Sequence, residues 1–253
     1  QNDIWHIEIA GQQLVKARAI ANAAGPAVLE TLARTKGHHR DSNERIRLVR
    51  GSHIVVAKMF ETPQAYFCQN ADGRIFFAIP YEDDFTLIGT TDADHQGSLD
   101  NITATAEEIA YICESASTYF KQKLTPADVI YSYAGVRPLV DDGSGKPETA
   151  SRGYHFDMDV GADGNAPLLS VFGGKITTYR HLAESAVAEL SAYLPMLSGD
   201  SWTASKPLPG GDFTMDGAPE LAAALQADYP FLGLRVIKRL VRSYGTRSRA
   251  WLA

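Results

Sequence analysis

Apolar and polar residues alternate over residues 4–9 and again over 14–19, with Gly11 between them, the period of two expected of a hairpin. Residues 19–26 (AIANAAGP) then read as a small-residue strand ending in a glycine, followed by a short helical stretch over 27–33. Ile46, Leu48 and residues 53–56 predict a strand broken at Gly51. Segments 65–69 and 74–79 flank an Asn70-Ala71-Asp72-Gly73 turn, and a third strand over 85–90 follows the turn at 80–84, so the block predicts an antiparallel sheet with polar loops. Thr105 and Glu108 have capping-box spacing, and Ile109, Ile112, Cys113, Ala116 and Phe120 recur on one helical face, which predicts a helix covering that sheet.

After Pro126 a strand over 129–133 runs into Ala134-Gly135-Val136-Arg137-Pro138-Leu139. Tyr154, Phe156 and Met158 alternate, Asp163-Gly164-Asn165 is a turn, and residues 168–172 form an apolar strand ending at Gly173-Gly174-Lys175. A helix starts there, its apolar face marked by Tyr179, Leu182, Ala183, Ala186, Val187 and Leu190. A connector rich in Gly, Pro and Ser occupies 198–219 and leads into a final helical segment, and no internal repeat is visible.

Composition narrows the function classes. The 253 residues allow one large domain or two modest ones, and 45% apolar with 21% charged is ordinary globular usage. No run approaches the roughly 20 apolar residues of a spanning helix. Cys68 and Cys113 match no metal-ligand spacing and suit a reduced, cytoplasmic setting as packing residues. The net charge of −6 is uneven: residues 231–253 hold six bases (Arg235, Lys238, Arg239, Arg242, Arg247 and Arg249) and no acid. Such a tail suits a solvated helix face first and an anionic membrane or acidic partner second. An acidic chain without interleaved basic and aromatic repeats argues against nucleic acid.

The candidate chemistry is sparse and cationic. A strand, two glycines, Lys175 and a helix start present backbone N–H groups to electron-rich oxygens, with Thr177 and Thr178 adding hydroxyls; an ordinary glycine-assisted turn reads equally well. Arg137 lies in an apolar stretch and needs a carboxylate or a phosphate. Arg152 opens a strand, and each arginine is open to a structural ion pair as well. His53 begins an apolar strand, suited to donating to an anion, to relaying a proton or to a structural role, and Asp92 either holds a basic group or ends its strand. No catalytic triad and no metal cluster can be assembled from spacing.

Five segments in order carry more than any one alone: Asn22-Ala23-Ala24-Gly25-Pro26, Arg50-Gly51-Ser52-His53-Ile54-Val55-Val56, Phe85-Thr86-Leu87-Ile88-Gly89-Thr90-Thr91-Asp92, Tyr133-Ala134-Gly135-Val136-Arg137-Pro138-Leu139, and Ser170-Val171-Phe172-Gly173-Gly174-Lys175-Ile176-Thr177-Thr178-Tyr179-Arg180. The series resembles the bacterial FAD-dependent, quinone-linked glycerol-3-phosphate dehydrogenases from about residue 4 to the end. The resemblance implies a mixed α/β and α+β fold. Residues 1–38 and 133–197 would belong to an FAD-binding Rossmann-like domain, 39–132 to an antiparallel-sheet substrate domain covered by helices, and 198–253 to a linker and the start of a helical C-terminal domain. It also implies an enzyme of glycerol metabolism in which sn-glycerol 3-phosphate gives a hydride from C2 to flavin N5 and forms dihydroxyacetone phosphate. Electrons then pass to quinone at the inner face of the cytoplasmic membrane, which the full-length protein meets peripherally; a homodimer is compatible with this.

Matched segment by segment, His53, Arg137, Arg152 and Lys175 fall on the substrate side, with Arg137 and His53 as the catalytic candidates. Gly25, Gly174, Lys175, Ile176 and Thr177 fall on the flavin side. That family carries a Gly-x-Gly-x-x-Gly turn for the flavin diphosphate, and this sequence has none, so the chain is expected to be a fragment, inactive and flavin-free by itself. Two alternatives stand beside this reading: a flavin amine or amino-acid oxidase of the same fold, and a non-catalytic anion-binding module.

Overall fold

A computed structural model describes residues 4–9, 11, 13–35, 46–140, 153–160 and 166–252. The chain divides into two compact units, residues 1–197 and 198–253.

The first unit opens with the hairpin: β1 (Trp5–Ile9) pairs antiparallel with β2 (Gln13–Ala17), Trp5 opposite Ala17. β3 (Ile20–Asn22) ends in a 3₁₀ turn, Gly25–Ala27, that runs into α1 (Val28–Arg34). The main sheet follows. β4 (Ile46–Ala57) is its long central strand, then come β5 (Tyr66–Gln69), β6 (Ile75–Tyr81), β7 (Phe85–Gly89) and the two-residue β8 (Ala93–Asp94). After α2 (Ala106–Tyr119) the chain returns as β9 (Val129–Val140). The strands run β5-β6-β7-β4, with β8 beyond β7 along one edge of β4 and β9 along its other edge, and every pair is antiparallel.

The expected break at Gly51 does not exist. Gly51 stays in the ladder opposite Gly135, and β4 is continuous; a glycine is tolerated there because another side chain uses the space its Cβ would fill. β9 likewise runs without interruption from residue 129 to 140, paired to β4 along its length with a bulge between Val55 and Val56.

Alternation along β4 gives the sheet two unlike faces. Ile54 and Val56 join Cys68, Phe76, Ala78 and Ile88 on the face that α2 covers with Ile112, Cys113 and Ala116. Each such fully buried aliphatic side chain contributes about 1.5–3 kcal/mol. The other face carries Phe67, Phe77, His53 and Tyr133, which register as one row across the sheet with Gly89 between Phe77 and His53. Phe67, Phe77 and Tyr133 are exposed.

A smaller sheet completes the unit. β10 (Tyr154–Asp159) pairs antiparallel with β11 (Leu168–Gly173), and β11 pairs in parallel with β3, Leu169 opposite Ala21. From β11 the chain passes through a 3₁₀ turn, Ile176–Thr178, into α3 (Tyr179–Ser191). The parallel pair joins segments more than 140 residues apart, which makes this a mixed α/β and α+β fold.

The second unit is helical: α4 (Ala218–Asp228), α5 (Leu234–Tyr244) and α6 (Ser248–Leu252), with Ala222, Leu225, Ile237 and Val241 as its core. α5 buries Ile237 and Val241 while Arg235, Lys238, Arg239 and Arg242 are exposed, so four of the six bases of the tail lie on the polar face of one helix.

Candidate functional site

The open face of the main sheet holds two basic side chains, His53 and Arg137, that the sequence separates by 84 positions, and two glycines make room for both. His53 on β4 lies between Gly89 and Tyr133 in the cross-strand row. A Cβ on Gly89 would come within 2.7 Å of His53 Cγ and 2.9 Å of Nε2, so the imidazole lies flat in the glycine gap. On its other side the ring stacks on Tyr133, centroids 5.0 Å apart and planes 3° from parallel. Its Nδ1 is buried with no hydrogen-bond partner among the described residues. Burial and then the charge of Arg137 push the imidazole below its ordinary value of 6.5, so it is neutral at pH 7.

Arg137 pairs with Val49 across β4–β9, and its guanidinium lies over Gly51. A Cβ there would sit 2.9 Å from Arg137 Cζ and 2.5 Å from Thr90 Oγ1. Arg137 Nη1–H donates to Asp92 Oδ1 at 2.5 Å and Nη2–H to Thr90 Oγ1 at 2.9 Å. A guanidinium has five N–H donors. The remaining three have no partner among the described residues, on a side chain 34% exposed.

Residues 90–92 alternate as an extended segment does. Thr90 and Asp92 turn to Arg137, and Thr91 turns to the opposite side, where its Oγ1 accepts from Ser52 N–H at 2.9 Å and donates to Glu108 Oε1 at 3.0 Å. Glu108 is the N3 residue of the α2 capping box with Thr105, and it also takes Arg50 Nε–H at 3.1 Å. Burial pushes the Glu108 carboxyl up, but the hydrogen bonds from the Thr105 backbone, Arg50 and Thr91 outweigh it and hold the group below its ordinary value. One helix cap is thereby tied to the strand that carries His53.

The flavin-side candidates gather elsewhere in the same unit. β3 and β11 are adjacent and parallel, and both end in glycine turns at their carboxyl ends: Gly25 at φ +56°, Gly173 at +72° and Gly174 at +99°. A helix follows each turn, the arrangement in which open α/β sheets bind ligands beyond their strand ends. Asn22 ties the two strands, donating from Nδ2 to the Val28 carbonyl at 3.0 Å and meeting Ser170 Oγ at 3.5 Å. A Cβ on Gly173 would fall 2.6 Å from the Gly153 carbonyl and 3.4 Å from Val140 Cγ2, which places this turn beside the end of β9. At Gly25 a Cβ would meet nothing within 4 Å, an open cradle at a backbone angle that favours glycine. Lys175, Ile176 and Thr177 are exposed, Ile176 by 86%. Arg152 lies outside the described residues.

The structure thus brings His53 and Arg137 to one face and Gly25 together with Gly174–Thr177 to one pair of strand ends. Asp92 holds Arg137, one of the two roles open to it in the sequence. Gly51, Gly89, Thr90 and Tyr133 were not legible as site residues. For Gly51 and Gly89 the signal is a glycine at a strand position where an apolar side chain is expected; Thr90 and Tyr133 carried none beyond lying in the segments of the resemblance.

An antiparallel sheet with one covered face, joined to parallel strands that end in glycine turns, is the architecture of a flavoprotein oxidoreductase. Residues 1–180 match the family described as FAD dependent oxidoreductase, and the chain belongs to that family. Among its relatives, glycerol-3-phosphate dehydrogenase of Pseudomonas aeruginosa is 44% identical over 248 residues, 96% of this chain and 48% of that protein. D-erythritol 1-phosphate dehydrogenase of Brucella abortus is 42% identical over 254 residues, 98% of this chain and 50% of that protein. The crystal structure of the Bacillus halodurans glycerol-3-phosphate dehydrogenase complexed with FAD superposes with a TM-score of 0.77 at 29% identity, over 94% of this chain and 45% of that one. The chain spans about half the length of the curated relatives it matches.

Proposed function

We propose that this chain forms the substrate face and part of the flavin site of an FAD-dependent dehydrogenase that oxidises glycerol 3-phosphate to dihydroxyacetone phosphate. The observation that carries the reading is the pairing on one open sheet face of a neutral histidine with a clamped arginine that keeps three donors to spare. Oxidising a secondary alcohol requires a proton acceptor at the hydroxyl and a hydride acceptor at the carbon. FAD supplies the second when bound, and Gly25, Gly174, Lys175, Ile176 and Thr177 are the residues that would hold it. The open cradle at Gly25 fits a ligand approaching the backbone closely.

His53 is the proton acceptor, because burial and Arg137 keep it unprotonated at neutral pH, whereas an arginine stays protonated. Arg137 binds the substrate anion or stabilises charge as the hydroxyl loses its proton, with donors fixed before the substrate arrives. Lys175 and Arg152 complete the cationic side of a site for a doubly charged phosphate. Residues 1–38 and 133–197 act as parts of the flavin domain, 39–132 as the substrate domain, and 198–253 as a linker and the start of a helical domain. The electrons go on to a quinone at the inner face of the cytoplasmic membrane, a reading supported by a relative named aerobic glycerol-3-phosphate dehydrogenase in Escherichia coli, 40% identical over 257 residues. Among the described residues no helix is long and apolar enough to cross a membrane.

The test is anaerobic bleaching of the flavin in the flavin-loaded full-length enzyme by a panel of glycerol 3-phosphate, D-erythritol 1-phosphate, glycerol and glycine. Bleaching by glycerol 3-phosphate and not by glycerol or glycine supports the proposal. Bleaching by glycine alone makes it an amino-acid oxidase, and preference for the four-carbon phosphate moves it to the activity named for the Brucella relative.

A further inference from the structure

Arg137 has a task at the substrate, and its two side-chain partners, Asp92 and Thr90, lie one step behind it. The tie to Arg137 is not what registers the sheet, because β9 pairs with β4 through its backbone from Val140 back to Val129. What the two partners fix is the guanidinium. Asp92, 12% exposed, takes Nη1–H and Thr90 takes Nη2–H, while Gly51 removes the Cβ that would push the plane off the sheet. Thr91, between the two, is itself anchored to Ser52 N–H and Glu108, so the clamp rests on the buried side of the sheet and not on a free loop.

We propose that Asp92, with Thr90, is a positioning residue for the reaction: it pins the Arg137 guanidinium in one orientation across Gly51, beside the His53 ring, so that the three unused donors are preorganised for the substrate. In this role Asp92 acts through Arg137, the side chain that meets the substrate. The proposal rests on the site assignment above. A long side chain with several rotamers would otherwise have to be ordered at each binding event, and a misplacement of about 1 Å costs up to a hundredfold in turnover.

The test uses the flavin-loaded full-length enzyme with Asp92→Ala, Asp92→Asn, Thr90→Val, Arg137→Ala and the double variant Asp92→Ala/Arg137→Ala. Flavin content, melting temperature, kcat and KM for glycerol 3-phosphate, and calorimetric affinity for dihydroxyacetone phosphate are measured for each. Asp92→Ala is expected to lose about tenfold to a hundredfold in kcat/KM and to bind the product more weakly at unchanged flavin content. Asp92→Asn, which keeps an acceptor oxygen, should fall between it and the wild type. In the Arg137→Ala background the Asp92 substitution should add nothing, the mark of a residue that works through another. If Asp92→Ala matches the wild type while Arg137→Ala is crippled, the positioning role is wrong and the site stands. An Asp92 loss that persists without Arg137 also overturns it. If Arg137→Ala itself turns over normally, the failure is of the site assignment. Should Asp92→Ala not fold, Asp92→Asn and Thr90→Val carry the same comparison, each made again in the Arg137→Ala background.

Discussion

At the scale of single residues the chemistry turns on where protons and charge sit. His53 is packed against Tyr133 and faces the Arg137 cation, and both burial and that charge disfavour its protonated form. Its folded pKa is therefore below the 6.5 of an unfolded histidine, so between the two values the unfolded chain binds more protons. By linkage the stability from a neutral His53 is fully present above 6.5 and is lost as pH falls through the folded value. The same sign governs turnover: kcat/KM should rise with pH along a limb centred below 6.5, where His53 deprotonates. Replacing Arg137 by Gln removes one of the two causes, and the limb should move up toward 6.5. An NMR titration of the His53 ring gives the same comparison without turnover, and a limb that stays put in Arg137→Gln would exclude electrostatic contact between the two.

At the scale of elements, the Glu108 carboxylate joins a helix to a strand. It closes the capping box of α2 and takes Arg50 from β4 and Thr91 from the segment after β7. Hydrogen bonds to a charged group are worth about 1.5–3 kcal/mol, and leaving a buried partner unsatisfied costs a similar amount. Glu108→Ala should therefore destabilise by about 2–4 kcal/mol in urea unfolding, and Glu108→Gln by less, because the amide oxygen still accepts. The carboxyl is held low in the fold, so its contribution is present above the ordinary 4.5 and is lost as pH falls through the folded value. The glycine turns separate folding from binding in the same way. Gly25→Asn adds a side chain that tolerates a positive φ in a place with no neighbour within 4 Å. Stability should change by about 1 kcal/mol or less, while flavin affinity falls at least tenfold. Equal flavin affinity in Gly25→Asn would remove this turn from the cofactor site.

At the scale of the whole molecule, the two compact units have separate cores, one beneath the main sheet and one among α4 and α5. Within the first, β4 is a twelve-residue strand bonded along both edges, to β7 and β8 on one side and, over nearly its whole length, to β9 on the other. Amides at the centre of β4, residues 53–56, should be the slowest of the chain to exchange with deuterium, and those of β1 and β2, paired only with each other, among the fastest. Faster exchange in β4 than in the hairpin would contradict this ranking of local stability.

The alternation of apolar residues, the capping-box spacing of Thr105 and Glu108 and the punctuation by Gly and Pro were sufficient to place most elements, because these are local properties of the chain. They also marked Arg137 as a cation needing a carboxylate or a phosphate, and Asp92 as an acid that either holds a base or ends its strand. Pairing the two was beyond them, since 45 positions lie between and the contact depends on β4 and β9 lying in register. Gly51 shows the limit most plainly. Locally a glycine in a strand pattern signals a break, and only when the strands are assembled does the missing Cβ become the space that a guanidinium fills. Sequence by itself determined which residues can carry charge and where the chain is straight or turns. The tertiary structure decided which of those charges meet, because that depends on long-range register and on the volume left by side chains that are absent.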